Sequence, residues 1–310
     1  MKYAKPPLTL EQQADQLLGR GMVGDRDLMI VRLRSVSYYR LSGYWFPFRN
    51  TDHSFRSGTS FDAVWNRYVF DRRLRLLVMD AIERIEVAVR SQLAHHHSLH
   101  YGPFAYATDP GTLPKLTIKE HQDFLSHIEE ETNRSRESFA RHFQKKYGDC
   151  HRRLPIWMAS EVTAFGSVLT FFRGAHRKEK RLVADMFGLP DAVFGSWLLT
   201  LHTIRNVCAH HGRLWNRELG VKPMIPLADD YPGWHDPVVV RNNRVFCVLT
   251  ICCWCLRRIA PQSEWSERLR GLLARSANIP LPDMGFPANW EQCPIWGAAV
   301  PSTEPKRGRS

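Results

Sequence analysis

WLLTLHTIRNVCAHHGRLWNR, residues 197–217, is the stretch on which the reading of the chain turns. Trp197, Leu198, Leu201 and Ile204 recur at helical spacing, so it begins as a helix with one buried face. Behind that apolar half stand Arg205, Asn206, His210, His211, Arg213, Asn216 and Arg217, a density of polar groups that a purely structural helix does not need. Gly212 directly after His211 predicts a helix terminus there, with the glycine as its cap.

The same helical period extends outward in both directions. Upstream, Pro155 opens an apolar helix from Leu154 to Phe172 in which Glu161 is the single charge, either paired with an arginine or facing solvent. A helix over 178–187 and one capped by Asp191 lead into the quoted stretch. Downstream, a loop over 220–237 precedes helices at 241–259 and 263–277. Nearer the start, Thr9 and Gln12 form a capping box over a stripe of Leu10, Ala14, Leu17 and Leu18, and a second helix runs from Asp25 to about Leu41. From Phe61 to His100 one or two long helices carry Val64, Trp65, Tyr68, Val78, Ile82, Ile85, Val89 and Leu93 on one stripe. Their polar faces take Arg67, Arg72, Arg73, Arg75, Arg84 and Arg90, with Glu86 and Arg90 spaced to pair. Thr117 and Glu120 open a charge-rich helix to Tyr147, a solvated arm or lid.

No alternating strand pattern occurs, so the class is all-α, a multi-helix bundle. Residues 1–60 form an N-terminal helical extension with an aromatic cluster, 61–277 the helical core, and 278–310 an irregular or partly disordered basic tail ending in KRGRS. The cluster SYYRLSGYWFPFRN at 37–50 reads as core at Tyr39, Leu41, Tyr44, Trp45 and Phe48, against the alternative of a base-stacking surface.

The chain is 44% apolar, as a globular protein requires, and carries a net charge of +12, which favours a polyanionic partner. MKYAKPPLTL at the start has no apolar run of secretory length, so the protein reads as cytoplasmic. The apolar run over 245–256 is shorter than the roughly 20 residues that cross a bilayer, so no membrane is implied. Seven cysteines without an export signal argue against a disulfide framework. Cys252 and Cys255 make a C-x-x-C, but with no second pair they read as small hydrophobes, and neither metal nor cofactor is expected. His95, His96 and His97 project about 100° apart on a regular helix and cannot all ligate one ion; they read as a solvated helix end.

Arg205 and His210 together suit phosphodiester cleavage in RNA. A histidine exchanges protons near neutral pH, and an arginine holds a phosphate bidentately while charge grows on it. RNA carries its own nucleophile in the 2′-hydroxyl, so no metal is needed. Asn206 positions the histidine or the phosphate. Five positions along an ideal helix rotate by about 140°, so Arg205 and His210 leave a common face. Either the helix ends between them, or two copies meet across a two-fold axis and one supplies the arginine, the other the histidine. Arg90 and His95 have the same spacing without that polar company and read as a helix-surface coincidence.

SYYRLSGYWFPFR at 37–49, LPIWMASEVTAFG at 154–166 and the opening stretch at 197–217 together resemble the Abi-like (AbiD/AbiF type) proteins of bacterial abortive infection, a branch of the HEPN superfamily. The resemblance implies a HEPN-type helical bundle acting as a homodimeric, metal-independent endoribonuclease of phage defence, restrained until infection and toxic when released. It makes Arg205 the motif arginine, Asn206 its polar neighbour and His210 the motif histidine, with His211 as a rival, while His211, Arg213, Asn216 and Arg217 hold the RNA. The alternative on the same fold is non-catalytic: a protein that binds RNA, including a small RNA that regulates it, or a toxin–antitoxin partner of an inhibitory antitoxin.

Overall fold

The computed structural model describes residue 2 and residues 6–297. Over these residues the chain is all-α, without a strand: α1 (Leu10–Gly19), α2 (Arg26–Ser35), α3 (Tyr38–Trp45), α4 (Phe61–Tyr101), α5 (Ala105–Thr108), α6 (Ile118–Arg134), α7 (Ser138–Tyr147), α8 (Ile156–Val162), α9 (Phe165–Gly174), α10 (Arg177–Met186), α11 (Asp191–Ala209), α12 (Val245–Ile259) and α13 (Trp265–Ala274). Both capping boxes form, at Thr9 with Gln12 and at Thr117 with Glu120.

Three segments that read as continuous helices are broken, because an apolar stripe does not register a short interruption that keeps both halves on the core. Ser37 accepts the Arg40 N–H at 3.3 Å and starts α3 afresh after α2. The polar helix over 117–147 divides at Ser135–Glu137. Between α8 and α9 the Ala164 N–H turns out of the helix and donates to the Glu131 carboxylate of α6 at 3.1 Å. Pro190, not Asp191, holds the cap position of α11.

The bundle is assembled around α4, a single helix of 41 residues and about 60 Å. α3, α8, α9, α10, α11, α12 and α13 all lie against it. Its buried stripe keeps a seven-residue register through Val64, Val78 and Ile85, offset by Ile82 and Val89. Two residues in that register are charged: Asp71, seven from Val64 and from Val78, and Arg75, seven from Ile82. Arg75 is therefore not on the polar face expected for it; it is 6% exposed. His97 is fully buried as well, hydrogen-bonded to Glu179 at 3.1 Å, so the histidine run is not a solvated helix end. The aromatic cluster is core at Leu41, Tyr44 and Trp45, while Tyr39 projects into solvent.

α12 is buried at every position from Val245 to Leu256. Burial pushes the Cys252 and Cys255 thiols up, so both stay protonated. Among the described residues no group of three or more His, Cys, Asp or Glu is placed to hold a metal ion, and no single helix is long and apolar enough to cross a membrane. Over 278–297 the tail is irregular but packed. It buries Met284, Phe286, Trp290, Cys293, Ile295 and Trp296, with the Phe246 ring of α12 tilted 4.6 Å from Phe286 and stacked 6.1 Å from Trp296. Aromatic burial outweighs the proline-rich composition that suggested disorder. KRGRS lies outside the described residues.

Trp296 also donates its indole N–H to Thr250 at 3.1 Å. Trp296→Ala should therefore destabilise the fold by about 3–5 kcal/mol, as for other large core truncations. A urea midpoint unchanged from that of the parent chain would mean that the tail does not belong to the core.

Candidate functional site

The polar end of the opening stretch is a helix terminus of a specific kind. α11 runs through Ala209, and His210 caps it with near-helical angles, φ −87° and ψ 15°. His211 then adopts φ 57°, the left-handed region. The His211 N–H donates to the Cys208 carbonyl at 3.0 Å and the Gly212 N–H to the Val207 carbonyl at 2.7 Å, the double bond of a Schellman motif. The terminus falls where Gly212 predicted it, but the left-handed position is filled by histidine, and Gly212 stands one place later. A non-glycine residue pays about 1–2 kcal/mol for that conformation, so something else must hold the turn.

What holds it is a buried carboxylate on α4. Asp71 is completely buried and accepts the backbone N–H of Trp215 at 2.7 Å, that of Leu214 at 3.1 Å and the Tyr44 hydroxyl at 2.7 Å, and it is ion-paired with Arg75. Burial pushes the Asp71 carboxyl up, and Arg75, the Tyr44 hydroxyl and the two amides pull it back. Burial and the neighbouring Asp71 push the Tyr44 phenol far up, so Tyr44 remains a donor. Arg75 also reaches the Gly212 carbonyl at 3.4 Å. From α3, Arg40 donates to the His211 carbonyl at 2.6 Å, and the Arg213 guanidinium donates to the Gly43 carbonyl. Residues 211–215 are thus tied to α3 and α4 on both sides.

The remaining predicted residues follow from this turn. Arg213 uses its guanidinium on α3, and Arg217 donates from Nε to the Arg213 carbonyl at 2.9 Å. Asn216 is half-buried, and its carbonyl accepts from Arg244 at 3.1 Å. The His210 and His211 side chains are exposed.

Arg205 and Asn206 lie earlier on α11 and are half-buried. Among the described residues no hydrogen bond or ion pair occupies the Arg205 guanidinium. It lies toward α4, where its charge is felt by Glu86: burial pushes that carboxyl up, and Arg90 and Arg205 draw it back. Because the helix continues through Ala209 and His210 caps it with near-helical angles, the rotation of about 140° between Arg205 and His210 stands; the helix ends at the histidine itself, too late to bring the two side chains onto one face. The residues that do share a face are His202, Asn206 and His210, at successive intervals of four. Asn206 Nδ2 lies 3.3 Å from His202 Nε2, and burial, then the charge of Arg205, push the His202 imidazole down, so it is neutral at neutral pH. Cys208 plays no nucleophilic part, since burial, aided by Asp71, pushes its thiol up to about 12.

Arg90 is committed elsewhere: it pairs with Glu86 at 2.5 Å and donates to the Thr163 carbonyl at 2.8 Å, while His95 is exposed. The Glu161 side chain faces solvent. The sequence reading missed Asp71, Arg75, Arg40 and His202. The first two were marked by their place in the α4 register, where a charge interrupts an apolar stripe, and His202 by its distance of four from Asn206.

A family model described as Abi-like protein matches residues 32–216, more than half of the chain. The match extends from α2 to the turn after α11 and so takes in Asp71, Arg205 and His210. No curated protein and no solved structure matches the chain.

Asp71→Ala would leave Arg75 buried without its counter-charge and two backbone amides without an acceptor. It should cost about 3–5 kcal/mol of stability, against a smaller loss in Asp71→Asn, which keeps an acceptor. Equal and small losses in both variants, measured by chemical denaturation, would show that the turn is held by other contacts.

Proposed function

Because the chain belongs to the Abi-like protein family, we propose that it is a metal-independent endoribonuclease of abortive-infection phage defence, on a HEPN-type bundle of the AbiD/AbiF kind. The observation that carries this reading is Arg205: a half-buried guanidinium without a partner among the described residues, next to a row of imidazole and amide groups on one helix face. Such a guanidinium is free to take an external oxyanion in a fork of two hydrogen bonds.

In the reaction, the 2′-hydroxyl of one nucleotide attacks the adjacent phosphorus as an imidazole removes its proton. The bond from phosphorus to the 5′-oxygen breaks, and that oxygen takes up a proton as it leaves. The products are a 2′,3′-cyclic phosphate and a 5′-hydroxyl. Arg205 stabilises the negative charge that builds on the non-bridging oxygens. His210 moves the proton, with His211 directly behind it as the rival, and Asn206 orients phosphate or imidazole. His211 is exposed on the turn for the strand, Asn216 turns its side-chain oxygen inward, and Arg213 and Arg217 hold that turn while adding positive charge beside it.

The rotation along α11 supports a dimer, with Arg205 of one copy facing His210 of a second across a two-fold axis. Arg205→Ala and His210→Ala should each lower cleavage of single-stranded RNA about 10²-fold or more while the circular dichroism of the fold is kept. His211→Ala, measured alongside, assigns the proton-transfer role to whichever histidine gives the larger loss. If each site draws on two copies, mixing the Arg205→Ala and His210→Ala proteins should restore about a quarter of the parent activity, since about half the dimers are then mixed and each has one intact site. An Arg205→Ala, His210→Ala double variant that is folded and still cleaves at the parent rate would overturn the mechanism.

A further inference from the structure

α6 and α7 meet in an open notch of about 560 Å³ lined by Arg134, Arg136 and Arg141, with Asn133, Ser135 and Gln144 among them and no carboxylate. Several arginines of this fold are matched to acids, such as Arg26 to Asp15, Arg84 and Arg268 to Asp80, Arg90 to Glu86, and Arg152 and Arg153 to Glu129, and others, such as Arg213, Arg257 and Arg270, are bonded to backbone carbonyls. In the notch Arg134 approaches Glu130 only at 3.8 Å with 81% of its side chain exposed, a pairing of little consequence, and Arg136 and Arg141 have no acidic partner among the described residues. The elements that present them are docked. Phe124, Leu125 and Ile128 bury the inner face of α6, and Ala140 and Phe143 that of α7, with Arg134 at the end of α6, Arg136 in the connection and Arg141 on α7, all exposed.

The notch is joined to the candidate site by direct contacts. Glu131, beside Thr132 at the notch edge, accepts the Ala164 N–H at 3.1 Å and the Ser167 hydroxyl at 3.4 Å. In the same corner Gly166 runs so close to α11 that a side-chain carbon at that position would lie 3.4 Å from His202 Nε2. His202 in turn touches Asn206. The notch and the His202–Asn206 face of α11 are thus linked through the junction of α8 and α9.

We propose that this notch is a phosphate-binding subsite for the backbone of single-stranded RNA, beyond the position of the scissile phosphate. Three guanidinium groups with amide and hydroxyl donors between them suit successive phosphates and sugars, whereas a site for a drug-sized ligand is lined mostly by apolar groups. The proposal rests on the ribonuclease reading for the course of the strand along α11; the affinity of the notch for a phosphate backbone stands without it.

The test uses the full chain and a 2′-O-methylated 20-nucleotide RNA, which cannot be cleaved by 2′-hydroxyl attack. Replacing Arg134, Arg136 and Arg141 together with alanine should reduce the slope of log affinity against log salt by about 2, at roughly 0.7 per lost contact with a single strand, and the corresponding triple lysine variant should recover it. Cleavage of a dinucleotide, whose single internucleotide phosphate is the scissile one, should keep its rate. An unchanged salt slope in the alanine variant overturns the proposal. So does loss of inorganic phosphate or ATP binding with an unchanged RNA slope, which would make the notch a small-anion site. A reduced slope in a protein that cleaves no RNA sustains the notch and removes the ribonuclease reading; Arg205-dependent cleavage with an unchanged slope does the reverse.

Discussion

A buried carboxylate, Asp71, sets the arrangement of this molecule's functional end. An ionised side chain in the middle of a core stripe is tolerable only when its charge and all its lone pairs are answered, and here Arg75, the Tyr44 hydroxyl and two backbone amides do so. The amides belong to Leu214 and Trp215, which follow the turn that ends α11. One group on the central helix therefore fixes α3, through Tyr44, and the chain that leaves the histidines. The left-handed His211 is sustained by this clamp and by Arg40 at its carbonyl, so the strain in that residue is balanced by contacts on another element.

That anchoring gives the helix rotation its consequence. With α11 helical through Ala209, Arg205 is directed toward α4 and Glu86, and His210 toward the open face with Asn206 and His202. A helix that unwound before His210 would have let the two side chains meet within one chain. The rigid turn prevents this, and it is the physical reason for preferring a site completed by a second copy. The arginine notch between α6 and α7, proposed to hold an RNA backbone, is linked to the His202–Asn206 face of α11 through Glu131 and the α8–α9 junction beside Gly166.

Much of this was legible in the residues. The helical period gave an all-α chain, the glycine after His211 located the end of α11, and the crowding of arginine, asparagine and histidine marked the segment that the Asp71 network holds. Three kinds of feature were not legible. Breaks such as Thr163–Ala164 depend on an acceptor from another helix, Glu131, that periodicity does not encode. The tail over 278–297 looked disordered by composition because its energy lies in a few aromatic contacts with α12. Arg75 and Arg213 looked like surface arginines, since nothing local distinguishes a guanidinium that bonds to RNA from one that bonds to Asp71 or the Gly43 carbonyl.

The central claim is that RNA is cut by its own 2′-hydroxyl at Arg205 without a metal, and the ends of the product test it most directly. The purified chain, incubated with single-stranded RNA in excess EDTA, should leave 2′,3′-cyclic phosphate and 5′-hydroxyl termini. Termini bearing a 5′-phosphate and a 3′-hydroxyl, or cleavage that stops when the chelator is added, would contradict it.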